Sequence, residues 1–108
     1  MMYTVKETPY FQREAAKIWR NEERESFIDW ISENPLAGDV IKEVGELRKV
    51  RWSRAGTGKS GVVRVIYFNQ LDEGFIVLLT IYSKSVNDTL SDAFLHRLRV
   101  LDEGQNEK

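Results

Sequence analysis

Two segments limit what this chain can fold into more than any others. Val62–Phe68 and Phe75–Tyr82 are crowded with β-branched and aromatic residues, and only a short stretch ending in Leu71–Gly74 separates them. Such a pair reads as adjacent strands joined by a turn. Phe75–Tyr82 is almost continuously apolar, which suits a central strand buried on both faces. At 108 residues the chain has room for one core, so residues 1–108 are read as a single domain with a polar tail from about 102 to 108. A hydrophobic content of 42% is ordinary for a globular protein and excludes intrinsic disorder.

The segments before this pair alternate between the two periodicities. Tyr3–Glu7 alternates like a short strand. Thr8-Pro9 is a helix start, with Thr as cap and Pro where its missing N–H costs nothing. Tyr10–Arg20 follows, with Phe11, Ala15, Ile18 and Trp19 at helical spacing. Asn21 is expected to cap a second helix whose first turn holds Glu22, Glu23 and Glu25 and which ends at Asn34-Pro35. Leu47–Ser53 alternates again, placing Lys49 and Arg51 on one face and Arg48, Val50 and Trp52 on the other. Ala55–Gly61 is a glycine-rich connector. Asn87 or Asp88 is expected to cap a last helix running to about Leu101. The order is β-α-α-β-β-β-α, an α+β domain with a mainly antiparallel sheet and helices on one face.

Composition narrows the chemistry. The absence of cysteine excludes disulfides and thiolate metal sites, and a single histidine excludes His-rich ones. No metal or other cofactor is expected. Lys6 and Glu7 interrupt the start of the chain where a signal peptide would be apolar. The longest apolar run, Phe75–Leu79, is far short of the ~20 residues that cross a bilayer. The reading is a small, soluble, cytoplasmic protein without a membrane partner.

Net charge is −1, but its distribution is uneven. Between Leu47 and Leu71 lie six cations (Arg48, Lys49, Arg51, Arg54, Lys59, Arg64) and no acid. Such a segment suits a phosphate or an acidic partner. Within it, SRAGTGKS at Ser53–Ser60 nearly matches a phosphate-binding loop. That loop needs a helix behind it, whereas Gly61–Phe68 reads as a strand. Glu22, Glu23 and Glu25 are explained by the helix dipole. His96, mid-helix, reads as a surface residue before it reads as a base. Trp19 and Trp30 read as core, whereas Trp52, between Arg51 and Arg54, is a candidate for stacking on a base.

Lys49 and Arg51 project from one face of a strand, Arg64 comes from the next strand, Lys59 from the connector, and Lys84 follows the central strand. Cations converging from several strands can hold a phosphodiester from several sides. RNA carries its own nucleophile, the 2′-OH, so the remaining need is to stabilise charge on the phosphorus oxygens. One preorganised donor can contribute ~10²–10³ in rate. A lysine crowded by other cations can lend its amine as base. DNA, lacking the 2′-OH, could be bound but not cut by this route.

Four segments in register carry a resemblance: Gly38-Asp-Val-Ile, Gly45-Glu-Leu-Arg-Lys-Val-Arg-Trp, Gly58-Lys-Ser-Gly-Val-Val-Arg-Val-Ile-Tyr-Phe and Leu79-Thr-Ile-Tyr-Ser-Lys. Over about Pro35–Lys84 the sequence resembles the RelE/HigB toxins of type II toxin–antitoxin systems, most closely the HigB-like branch. The resemblance implies a compact α+β ribonuclease fold and ribosome-dependent cleavage of mRNA. It also implies neutralisation by a cognate antitoxin, often with a helix-turn-helix domain, and a higher-order toxin–antitoxin complex on operator DNA. Carried over by position, the catalytic cations are Lys49, Arg51 and Arg64, with Lys59 and Lys84 as helpers; Arg48, Arg54 and Trp52 of the same basic segment are added as candidate RNA- or ribosome-binding residues. Many relatives place another arginine and a tyrosine after the last strand. Here Ser85 follows Lys84 and no tyrosine lies beyond Tyr82, which leaves a lysine or His96 as the general base. Two alternatives belong to other classes: a non-catalytic toxin of the same fold acting on DNA gyrase, and a nucleic-acid-binding module that only grips phosphate.

Overall fold

The computed structural model describes residues 2–42, 45–53, 62–83, 91 and 93–99. Strand β1 (Thr4–Glu7) leads into helices α1 (Pro9–Ile18) and α2 (Asn21–Glu33). The strands β2 (Asp39–Val40), β3 (Arg48–Trp52), β4 (Val63–Gln70) and β5 (Phe75–Ser83) follow, and residues 93–99 form a third helix, α3. Among the described residues, the two-residue β2, which periodicity cannot reveal, is the one strand beyond the expected order. The sheet order is β1-β5-β4-β3-β2, antiparallel throughout except for the parallel pair β1–β5.

Local chemistry sets the element ends. Thr8 Oγ1 accepts from the Phe11 N–H at 3.2 Å and donates to the Leu78 carbonyl at 2.9 Å, so one hydroxyl caps α1 and ties it to β5. α1 stops at Ile18, earlier than its apolar spacing suggests, because Trp19 turns extended (ψ 148°). Its indole then packs against Phe11, Phe27 and Trp52, with ring centroids 5.4–6.4 Å apart. The cap of α2 is Arg20, not Asn21. The Glu23 carboxylate accepts from the Arg20 N–H at 3.0 Å, so the third helical residue performs the capping and Asn21 becomes the first. Between β4 and β5 a short 3₁₀ turn, Leu71–Glu73, closes on Gly74, whose φ of +88° suits glycine.

The expected one-sided arrangement of helices does not hold. Phe11, Ala15, Phe27 and Ile31 of the two N-terminal helices, with Trp19 between them, bury Val63, Val65, Tyr67, Ile76, Leu78 and Ile81 on one face. Leu95 and Leu98 of α3 bury Ile66, Phe68, Val77 and Leu79 on the other. β4 and β5 are apolar on both faces, so each face must be covered to remove it from water. Arg99 secures α3, lying 3.9 Å above the Phe68 ring and 2.7 Å from Glu46. Ser91 Oγ accepts from the Phe94 N–H at 3.1 Å just before this helix. The expected caps Asn87 and Asp88, the connector Ala55–Gly61, the end at Leu101 and the polar tail all lie outside the described residues. Among the described residues, no helix is long and apolar enough to cross a membrane.

Candidate nucleic-acid interface

Strand pairing builds the site. In an antiparallel sheet, directly opposite residues share a face with Cβ atoms about 4.5–5.5 Å apart. Arg51 stands opposite Arg64, and Arg64 opposite Tyr82, making one row across β3, β4 and β5. Lys49 stands opposite Ile66, and Ile66 opposite Thr80, making the next row. The register shifts between Ile66 and Tyr67, so the strands beyond run one residue out of step. Lys49, Arg51 and Arg64 therefore share one face, the face that α3 covers farther along.

The environments of these cations differ. Lys49 and Arg51 are exposed, whereas Arg64 is only 8% exposed. Among the described residues no acid forms an ion pair with any of the three. Arg64 Nη1 is buried without a hydrogen-bond partner there. Like charges directly opposite across a sheet are destabilising, and buried donors are normally satisfied. Two arginines facing each other, one with an unspent donor, suit an anion, because a phosphate oxygen would supply both the acceptor and the countercharge.

Neighbouring candidates are committed elsewhere. Arg48 points to the opposite face, where its Nη1 donates to the Gly38 carbonyl at 2.6 Å. Trp52 also lies on that face, its ring edge-on to Trp19 at 5.6 Å and to Phe27 at 5.5 Å. It serves the core, not a stacking platform beside Arg51. His96 is exposed, while Leu95 and Leu98 turn toward the sheet, so it stands on the outer side of α3 and does not join the rows. Arg54, Lys59 and Lys84 lie outside the described residues. Tyr82 is the row member that sequence reading passed over. Its membership follows only from the β4–β5 register, which the alternation of either strand alone does not reveal.

A buried polar clasp positions the edge of this face. The Tyr67 hydroxyl donates to the Pro35 carbonyl and accepts from the Gly38 N–H, both at 2.9 Å, while Asn69 Nδ2 donates to the same carbonyl at 2.9 Å. Burial pushes the Tyr67 phenol above its ordinary value of 10.0, against the opposing pull of the Gly38 N–H and Arg48. Gly38 is required here by close approach, since a Cβ would fall 2.9 Å from both the Lys49 carbonyl and the Tyr67 hydroxyl. The clasp lays Asp39–Val40 against β3 and leaves a groove of about 390 Å³ lined by Trp30, Ala37, Asp39, Lys49, Val50 and Arg51.

No protein-family model matches the chain. Among solved structures it is similar to the Escherichia coli toxin RelE in the free state, in a form with two arginines replaced by alanine. That match has a TM-score of 0.55 and 14% identity, covering 75% of this chain and 82% of that one. It is also similar to the toxin–antitoxin complex RelBE2 from Mycobacterium tuberculosis, with a TM-score of 0.57 and 20% identity, covering 78% of this chain and 100% of that one. Element order, sheet topology and these two likenesses agree: the chain has the α+β fold of the RelE toxins.

Proposed function

We propose that this chain is the toxin of a type II toxin–antitoxin system of the HigB-like branch, an endoribonuclease that cuts mRNA on the ribosome. The observation that carries the reading is the shared face of Lys49, Arg51 and Arg64, with two guanidiniums opposed and the inner one holding an unspent donor. A scissile phosphate on this face meets the planar fork of Arg64 from below and the exposed cations Lys49 and Arg51 from the rim. The RNA 2′-oxygen attacks the adjacent phosphorus, and the bond to the 5′-oxygen breaks. The products are a 2′,3′-cyclic phosphate and a free 5′-hydroxyl. The proton lost by the 2′-OH goes to a base, and the leaving oxygen gains one. The three cations stabilise the negative charge that builds on the phosphoryl oxygens, work that requires no metal. The M. tuberculosis likeness, a toxin–antitoxin complex, supports an antitoxin as partner. A helix-turn-helix antitoxin and joint binding to operator DNA extend that reading.

Expression of the chain alone, followed by mapping of mRNA ends in translating ribosomes, tests it. The expected result is growth arrest with new ends inside codons that disappear with Arg64→Ala. Soluble, folded protein that leaves both growth and mRNA intact would refute the ribonuclease reading.

A further inference from the structure

The groove beside β3 contains an acid where a phosphate-binding surface should have none. Asp39 stands directly opposite Lys49 across the β2–β3 pairing, on the same face as the candidate cations. Its carboxylate is exposed and makes no hydrogen bond or ion pair among the described residues, not even with Lys49. A carboxylate there repels phosphate, so gripping a backbone does not explain it. Reading the edge of a base does. The groove offers the rest of such a subsite: the half-buried Trp30, with Ala37, as its apolar lining, and Lys49 and Arg51 at the rim, with the side chain of Val50 turned away into the core. Unpaired RNA bases are recognised by this combination, an aromatic or apolar surface for the ring and polar groups for its Watson–Crick edge.

We propose that the groove is a nucleobase subsite selective for guanine in single-stranded RNA, with Asp39 as the residue that determines specificity. The choice follows from donor count. Guanine presents two adjacent donors, N1–H and the N2 amino group, which match the two oxygens of a carboxylate. Adenine and cytosine each present one amino group beside a ring nitrogen lone pair, which faces the second oxygen and repels it. Uracil presents a single N–H flanked by carbonyl oxygens. Lys49 and Arg51 line both this groove and the cationic face, so a base seated here places its own phosphate among the cations. The inference rests on the ribonuclease reading for its biological purpose, whereas the binding it asserts can be measured without cleavage.

The test uses fluorescence anisotropy with labelled 2′-O-methyl trinucleotides, A-X-A, which the 2′-OH route cannot cut. X is guanine, inosine, adenine or cytosine. The expected result is guanine bound about fivefold more tightly than inosine, which lacks the N2 amino group, and at least about tenfold more tightly than adenine or cytosine. Asp39→Asn and Asp39→Ala should each reduce the preference to under about twofold without weakening the adenine trinucleotide, since a repulsive charge is removed. Asp39 is exposed on a two-residue edge strand, so both variants should melt as the parent does, and the unchanged adenine affinity confirms an intact surface. Equal affinity for all four trinucleotides, absence of binding, or a guanine preference that survives both substitutions would overturn the subsite. Mapping mRNA ends separates the two readings. Guanine preference without cleavage removes the ribonuclease and keeps the subsite. Cleavage without guanine preference removes the subsite and keeps the ribonuclease.

Discussion

On β3 the side chains of Val50 and Trp52 enter the core beneath α1 and α2, while Lys49 and Arg51 rise from the other face to meet Arg64. The two sets differ by one residue in sequence and by the full thickness of the sheet in space. Toward the N-terminal helices Val50 and Trp52 pack against the core, and Trp52 touches two other aromatics. Toward the cations the same strand tolerates two opposed arginines and an unpartnered buried donor. The packed face yields stability, and that surplus lets the other face retain charges whose arrangement is unfavourable by itself. A one-residue slip of β3 would exchange the faces and destroy both at once.

The contrast breaks most sharply at Trp52. Truncation to Ala removes an indole from the aromatic cluster and should cost about 3 kcal/mol, a loss seen as a large drop in the denaturant midpoint. Where the variant remains folded, its RNA affinity should stay near that of the parent. Weaker RNA binding at unchanged stability would instead make Trp52 a contact residue.

Arg64→Ala should act the opposite way. Cleavage should fall by at least about 10²-fold, equivalent to about 2.7 kcal/mol of transition-state stabilisation. Arg64→Lys should remain impaired because an ammonium lacks the planar fork. Stability should change by no more than about 1 kcal/mol, because the buried Nη1 has no hydrogen bond to lose. A lysine variant that restores both melting temperature and cleavage would reduce Arg64 to a structural role.

Tyr67 sharpens the comparison, since it lies in the packed core yet fixes the edge strand beside the cations. Tyr67→Phe strips partners from the Gly38 N–H and the Pro35 carbonyl and should cost about 2 kcal/mol. The parent and this variant should also differ in alkali. Burial raises the phenol's pKa in the folded state above 10.0, so the neutral form is favoured by folding. Its contribution is complete below the unfolded value and is lost as pH rises through the folded one. Urea denaturation above pH 10 should therefore show the parent losing stability that Tyr67→Phe does not lose. Parallel curves would place the phenol in a solvated site.

The smallest effect belongs to the rim. Arg51→Ala should leave stability within about 0.5 kcal/mol. It should lower the salt dependence of RNA binding, measured as log K against log salt, by about 0.7 for the one phosphate contact removed. An unchanged slope would take Arg51 off the contact surface.

Much of the fold is legible in the chain alone. The alternation of Leu47–Ser53 separates Lys49 and Arg51 from Val50 and Trp52, and the Thr8-Pro9 start and the Leu71–Gly74 turn stand where local chemistry puts them. What local pattern cannot carry is pairing. Periodicity places a residue on one of two faces but leaves open which neighbour stands across from it, and opposition is what joins Arg51, Arg64 and Tyr82 into a row. Covering follows the same logic. A doubly apolar strand demands cover on both faces, yet only the assembled molecule assigns α3 to the second. Trp52 resembles a stacking platform in sequence because Arg51 and Arg54 flank it, and its commitment to Trp19 and Phe27 depends on a helix end more than thirty residues away. Asp39 is inconspicuous within its short motif because an acid acquires meaning only beside the cations and the groove that tertiary contacts bring to it. The sequence by itself determined the elements and their faces, through interactions that span a turn or a pleat. The tertiary structure decided the register, the second layer and the groove, because each depends on free energy gained only when distant segments exclude water together.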